Sequence, residues 1–168
     1  MDAQTLKAAQ APIKEQYRET PEAALITLKA SSNGVDGVAC KLETSKGMIE
    51  AGLHPATGGS GTQACSGDML LEALVACAGV TLQAVATAFS VELTRSMVSA
   101  EGDLDFRGTL GVAKDAPVGF RDIRLHFDID ADAPAETLEK IVQLTERYCV
   151  VLQTIQQQPA ISLTSSLA

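Results

Sequence analysis

The longest apolar run in the chain, residues 69–89 (MLLEALVACAGVTLQAVATAF), carries one charge, at Glu72, and three plainly polar side chains, Thr81, Gln83 and Thr87. Leucine and alanine dominate it and it holds no proline, a composition that predicts helix. A helix apolar on nearly all sides is buried in protein or spans a membrane. Ser66-Gly67-Asp68 marks its start with a capping hydroxyl, a flexible residue and an acid in the first turn. About 20 apolar residues can cross a bilayer. Here, however, Glu72 would lie inside the span, and no basic cluster flanks either end. The expected element is therefore the core helix of a soluble protein with no membrane partner. At its centre Cys77 is flanked by Ala76, Ala78 and Gly79, whose small side chains let other elements approach closely.

The remaining pattern supplies strands and a second helix. Residues 1–20 read as a helical arm interrupted near Pro12 and ended before Pro21. Residues 23–30 (AALITLKA) read as a first strand and 31–37 (SSNGVDG) as a turn-rich loop. Residues 38–43 and 48–53 form a predicted hairpin around Ser45-Lys46-Gly47. Residues 54–67, rich in Gly, Ser and Thr, make a loop of the length that often carries function. Residues 93–106 read as a strand with Val98, Ala100, Leu104 and Phe106 on one side, and 107–119 as part strand, part loop. Residues 120–130 alternate cleanly, with Ile123, Leu125, Phe127 and Ile129 facing in.

Asp132-Ala133-Pro134 opens a second main helix. On it Leu138, Ile141, Val142, Thr145, Tyr148, Cys149, Leu152 and Ile155 recur at steps of three and four, turning Cys149 to the core. Gln156-Gln157-Gln158-Pro159 ends it, and residues 160–163 read as a short final strand. Strands in hairpin runs, rather than alternating βαβ units, predict an α+β fold with mostly antiparallel sheets around a buried central helix. The arm (1–20) and one domain (21–168) account for the chain. A helix that needs cover on every side is more than one chain of 168 residues readily supplies, which points to an intertwined homodimer.

Composition narrows the function. A net charge of −8 disfavours nucleic acid and anionic membrane surfaces. The first residues, MDAQTLKAAQ, lack a signal pattern, so the expected compartment is the cytoplasm. There the four cysteines, Cys40, Cys65, Cys77 and Cys149, rest as thiols, and a disulfide is more often catalytic than structural. None are spaced as CxxC, and the two histidines, His54 and His126, make a poor zinc set. No phosphate-binding or dinucleotide motif is present. No metal or cofactor is expected.

Each main helix therefore carries one central cysteine, and if the helices cross the sulfurs meet. Such a pair suits peroxide reduction: a thiolate attacks the peroxide and becomes a sulfenic acid, and the second thiol condenses with it. The attacking thiol then needs a nearby cation or hydrogen-bond donor. The plainer alternative is that each cysteine is a small apolar core residue. Cys65, in the Gly-rich loop, is a further candidate reactive thiol, and Cys40, in a strand, is expected to be inert. A carboxylate in a buried helix needs a partner, which singles out Glu72.

Residues 64–82, from Ala64-Cys65-Ser66-Gly67-Asp68 through Cys77 to Leu82, resemble the first-cysteine helix of the OsmC/Ohr family. Glu146-Arg147-Tyr148-Cys149-Val150-Val151 with Thr154-Ile155 resembles its second-cysteine motif, and the order of elements matches over residues 23–163. The resemblance implies an intertwined homodimer with active sites at the subunit interface. It also implies reduction of organic hydroperoxides, with Cys77 as the peroxidatic and Cys149 as the resolving thiol, and a lipoyl-type dithiol as reductant.

The chain departs from the family pattern in three places. The Ohr acid ten residues before the first cysteine is Gly67; the acid nine before, found in some OsmC-like branches, is Asp68. The family arginine falls at Val35, leaving Arg18 or Arg147 as substitutes. The proline that often follows the second cysteine is Val150, which predicts that the helix runs on unbroken. The function implied is a cytoplasmic thiol peroxidase acting in defence against oxidative stress. The alternatives are a small-ligand binding protein of the same fold, favoured by the missing arginine, and a redox sensor without efficient turnover.

Overall fold

In the computed structural model, which describes residues 1–35, 38–44 and 47–166, the chain runs as α1 (Ala3–Glu19), β1 (Ser31–Val35), β2 (Ala39–Thr44), β3 (Gly47–Gly52), α2 (Ser66–Ala88), β4 (Leu93–Leu104), α3 (Phe106–Thr109), β5 (Phe120–Ala131), α4 (Ala135–Tyr148) and α5 (Val150–Gln156). The fold is α+β, and among the described residues both sheets are antiparallel: β1–β2–β3 form one and β4–β5 a second.

The N-terminal third differs from the pattern reading. Asp2 caps α1 by accepting from the Thr5 N–H at 2.7 Å. The helix is not interrupted at Pro12 but continues through it to Glu19, absorbing the one hydrogen bond that proline cannot make. Residues 23–30 do not form a strand. A 3-10 turn spans Pro21–Ala24, and residues 25–30 pair with nothing among the described residues, leaving Leu25, Ile26 and Leu28 exposed. An apolar alternation encodes extended chain, but a strand also needs an edge to pair with. Pairing begins at Ser31, inside the segment read as a loop, so residues 31–35 are β1; Asp36 and Gly37 lie outside the described residues. The predicted hairpin forms, with Cys40 opposite Ala51 and Leu42 opposite Ile49; Ser45 and Lys46 of its turn also lie outside the described residues.

The second sheet is the floor under α2. Val98 pairs with Phe127, Ala100 with Leu125 and Gly102 with Ile123. Gly102 is required there, because a Cβ at that position would overlap the Phe120 ring. Phe106 leaves the strand, begins α3 and stacks on His54 at 4.9 Å between ring centroids. Residues 107–119 contain no strand.

The central helix begins at Ser66, with Cys65 as its N-cap and no side-chain cap bond, so Ser66 sits inside the first turn rather than capping it. By length and composition α2 could cross a membrane. It is not enclosed on all sides either. Its fully buried residues are Leu74, Ala78, Leu82 and Ala86, one row at steps of four. Leu74 and Ala78 pack with Cys149, while Leu82 and Ala86 pack with Ile141. The β4–β5 side chains Val98 and Phe127 touch both clusters. Away from that row, Val80 is 73% exposed.

The second main helix is also corrected. It does not run unbroken past Cys149 despite the absence of proline. Cys149 adopts φ −71, ψ 105, ending α4 and serving as N-cap of α5. The break keeps Cys149 in the same cluster as Val151, Leu152 and Ile155. Gln153 compensates for it by donating its side-chain amide to the freed Glu146 carbonyl at 3.0 Å, satisfying one of the carbonyls that a helix end orphans. Tyr148, read as core-facing, is the last residue of α4 and is exposed. Residues 157–166 carry no strand, so the predicted final strand at 160–163 is absent.

Leu82 is completely enclosed and lies more than a helical turn from Cys77. We expect Leu82→Ala to lower stability by about 2–5 kcal/mol through the cavity it leaves. Urea unfolding should show a reduced midpoint with an unchanged slope.

Candidate active site

The break at Cys149 creates the site. An N-cap residue leaves the first amides of the following helix without backbone acceptors. The first amide of α5 known to close a helical bond is that of Gln153, which donates to the Cys149 carbonyl at 2.9 Å. The amides of Val150, Val151 and Leu152 are therefore free to point at the sulfurs. Cys77, in the middle of α2, packs against the cluster holding Cys149, and the two thiols are within hydrogen-bond reach of each other.

The two sulfurs have opposite electrostatics. Burial pushes the Cys77 thiol up. It is outweighed by hydrogen bonds from the Val151 amide, the Cys149 thiol, the Val150 amide and the Thr81 hydroxyl, so Cys77 lies below the ordinary thiol value. For Cys149 burial again pushes up, and the Leu152 amide pulls down. The hydrogen bond to Cys77 and the negative charge on that sulfur push up further, so Cys149 lies above the ordinary value. Cys77 is partly exposed and Cys149 is 0% exposed. The Thr81 hydroxyl has one proton and directs it to the Cys77 carbonyl at 2.8 Å, so its pull on the sulfur is the smallest of the four.

The arginines proposed from sequence are elsewhere. Arg18 pairs with Glu15 at 2.6 Å on the exposed face of α1. Arg147 lies over the ring of its neighbour Tyr148, 5.4 Å from the centroid. Val35, at the end of β1, carries no charge. The principal donors to Cys77 are all neutral, and three of the four belong to the segment 149–151. Sequence reasoning missed the Val150 and Val151 amides and Thr81. Thr81 was legible, since it follows Cys77 by four positions on the same helix; the amides were not, since they depend on the break.

The acids are also apart from the thiols. Asp68 precedes Cys77 by nine residues, which places it about 14 Å away along α2 and about 180° around it. Glu72 is about 140° around and is exposed rather than buried, so it needs no partner. Both line a shallow groove of about 350 Å³ against Val98, Ser99 and Ala100 of β4, on the far side of the helix from the sulfur. No ion pair engages either acid among the described residues.

Cys65 stands at the start of α2, about 18 Å along the axis from Cys77. It lines a separate cavity of about 330 Å³ with His54, Phe106 and Phe120. His54 accepts the Ala56 amide on Nδ1 at 3.0 Å. Cys40 is half-buried in β2. Among the described residues no group of three or more His, Cys, Asp or Glu side chains gathers to hold a metal.

A family model described as OsmC-like protein matches residues 59–164, a span that includes both cysteine helices. Among solved structures, the chain is similar to an OsmC-like protein from Mycoplasma pneumoniae (TM-score 0.66, 16% identity, covering 79% of this chain and 89% of that one). It is similar to an organic hydroperoxide resistance protein from Elizabethkingia anophelis (TM-score 0.63, 16% identity, 80% and 91% covered). It is also similar to an organic hydroperoxide resistance protein OsmC from Legionella pneumophila (TM-score 0.61, 20% identity, 79% and 91% covered). At these identities the likeness concerns the fold. No curated relative matches the sequence.

Two predictions follow the donor set. Alkylation of Cys77 by iodoacetamide should reach half its maximal rate below the ordinary thiol value of about pH 8.5, and Arg18→Ala and Arg147→Ala should leave that midpoint in place. Val150→Pro should fold, because the extended ψ of Cys149 suits the residue before proline and proline suits the first helical position. It removes one N–H aimed at Cys77, so it should move the alkylation midpoint upward.

Proposed function

This chain belongs to the OsmC-like protein family, and we propose that within it the chain is a cytoplasmic thiol peroxidase that reduces organic hydroperoxides. The observation that carries the reading is the paired thiols of opposite character: a partly exposed Cys77 held toward thiolate, against a buried Cys149 held toward thiol. The neighbours of known name include organic hydroperoxide resistance proteins, which is consistent with that substrate class.

The chemistry follows from the arrangement. The Cys77 thiolate attacks one oxygen of the hydroperoxide, the O–O bond breaks, and the alkoxide leaves and takes a proton as the alcohol. Cys77 is then a sulfenic acid. The Cys149 thiol condenses with it, forming the Sγ–Sγ bond and releasing water. A lipoyl-type dithiol returns both cysteines to thiols by exchange. The reduced resting state requires a reducing compartment, which is the reason for the cytoplasmic assignment.

The working unit is a homodimer. The single chain leaves Val80 and Leu70 of α2 and the apolar residues Leu25, Ile26 and Leu28 open, a surface that a second copy would cover. Asp68 points away from the thiol of its own chain, so any part it plays at a thiol is across that interface.

The test is the intact mass of reduced protein, with peptide mapping, after one equivalent of cumene hydroperoxide. We expect a loss of two hydrogens mapping to Cys77–Cys149. Cys77→Ser should abolish the reaction, and Cys149→Ser should leave a dimedone-reactive sulfenic acid on Cys77. Continuous turnover with dihydrolipoamide separates an enzyme from a sensor. Thiols that stay reduced in the wild-type protein overturn the peroxidase in favour of a ligand-binding member of the fold.

A further inference from the structure

We infer that the reducing thiol enters the oxidised site through Cys77 alone: it attacks Cys77 Sγ, Cys149 departs as thiolate, and the covalent reductant adduct forms on Cys77. This rests on the thiol couple proposed above and adds the direction of its reset.

Enclosure carries the inference. Thiol–disulfide exchange needs the incoming sulfur to reach the attacked sulfur from the side opposite the breaking bond, so access decides which of two sulfurs is used. Cys149 is 0% exposed and belongs to a cluster with Leu74, Ala78, Val151 and Leu152. Association with another copy removes exposure and adds none, so Cys149 stays closed in any assembly that keeps this fold. Cys77 is the member of the pair with surface to offer.

Leaving-group strength would choose the other way. The thiol of lower pKa leaves more readily, and in the reduced pair that thiol is Cys77. Two features of the site reduce this opposition. The hydrogen bond and charge from Cys77 that push Cys149 up both belong to the free Cys77 thiolate, and they vanish once Cys77 is bound to the reductant. The Leu152 and Val151 amides, which favour charge on Cys149, remain.

The steps balance. A thiolate of the dithiol bonds to Cys77 Sγ while the Cys77–Cys149 bond breaks and its electron pair goes to Cys149, which then takes up a proton. The second thiolate of the reductant attacks its own first sulfur and expels the Cys77 thiolate. The dithiol is oxidised to a cyclic disulfide and the protein disulfide is reduced.

The experiment uses the full chain and glutathione, a monothiol that has no second thiol of its own to release the adduct, so that the adduct is cleared only by a second, slower collision and is caught by a brief exposure. Protein oxidised with one equivalent of cumene hydroperoxide is desalted and mapped for the Cys77–Cys149 disulfide. It is then exposed briefly to excess glutathione and quenched in denaturant with N-ethylmaleimide. The expected product carries glutathione on Cys77 and N-ethylmaleimide on Cys149, in at least tenfold excess over the reverse. An adduct on Cys149, or equal amounts on both, overturns the inference while leaving the peroxidase reading intact. If no disulfide is present before glutathione is added, the peroxidase reading fails and the inference fails with it.

Discussion

The electrostatics of the two thiols depend on one backbone event, the break at Cys149. Had α4 continued, the amides of residues 150–152 would have been spent on carbonyls one turn back, as every interior helical amide is. With Cys149 extended, they become free donors beside two sulfurs. The same break keeps Cys149 in the cluster with Leu74 and Ala78 of α2, and so decides where the second sulfur lies relative to Cys77. Gln153 compensates by bonding the Glu146 carbonyl that the break exposes.

That arrangement replaces a charge with dipoles. Where the family pattern places a guanidinium, this chain has Val35, and neither Arg18 nor Arg147 takes over. A cation on a long side chain must be held in place by further ion pairs and loses rotamer freedom when it is. Main-chain amides at a helix start carry no such penalty, because the backbone already fixes them, and hydrogen bonds to a charged sulfur are among the stronger ones available. Their reach is short, so they act only on a thiol packed against α5. Cys77 meets that condition through the helix crossing, and Cys65, far up α2, does not.

How much of this was legible in the sequence divides along physical lines. α2, β5 and the β2–β3 hairpin were readable because each buries a face, and burial writes a period into the chain. Cys77 and Cys149 were readable as a pair because two helices of matching apolar faces tend to pack. Residues 23–30 misled because their apolar side chains stand exposed in the single chain, and apolar character alone cannot distinguish such a segment from a strand within a sheet. The continuous helix through Val150 was expected because proline is the usual breaker. Here the break depends on tertiary packing and on a side chain at Gln153, neither of which leaves a local mark. The donors to Cys77 were invisible for a simpler reason: a main-chain N–H has no letter of its own.

In the proposed peroxidase cycle, the difference in exposure between the two cysteines sets an order. In the proposed cycle a peroxide and a dithiol, unlike in size and chemistry, both approach the same partly exposed residue, Cys77. Cys149 is reached only from within, by Cys77 itself. Its raised pKa therefore does not hinder the cycle, because Cys149 never has to attack an external molecule; it has only to meet a sulfenic sulfur already in contact with it, where proximity replaces nucleophilicity. Burial that would make a thiol useless as an entry point makes it suitable as a resolver. It keeps the resolving thiol reduced until the neighbouring sulfur has reacted, and it shields the disulfide on one side once formed. Division of labour between the two cysteines is thus set by depth as much as by charge, and both follow from the position of one residue at the junction of α4 and α5.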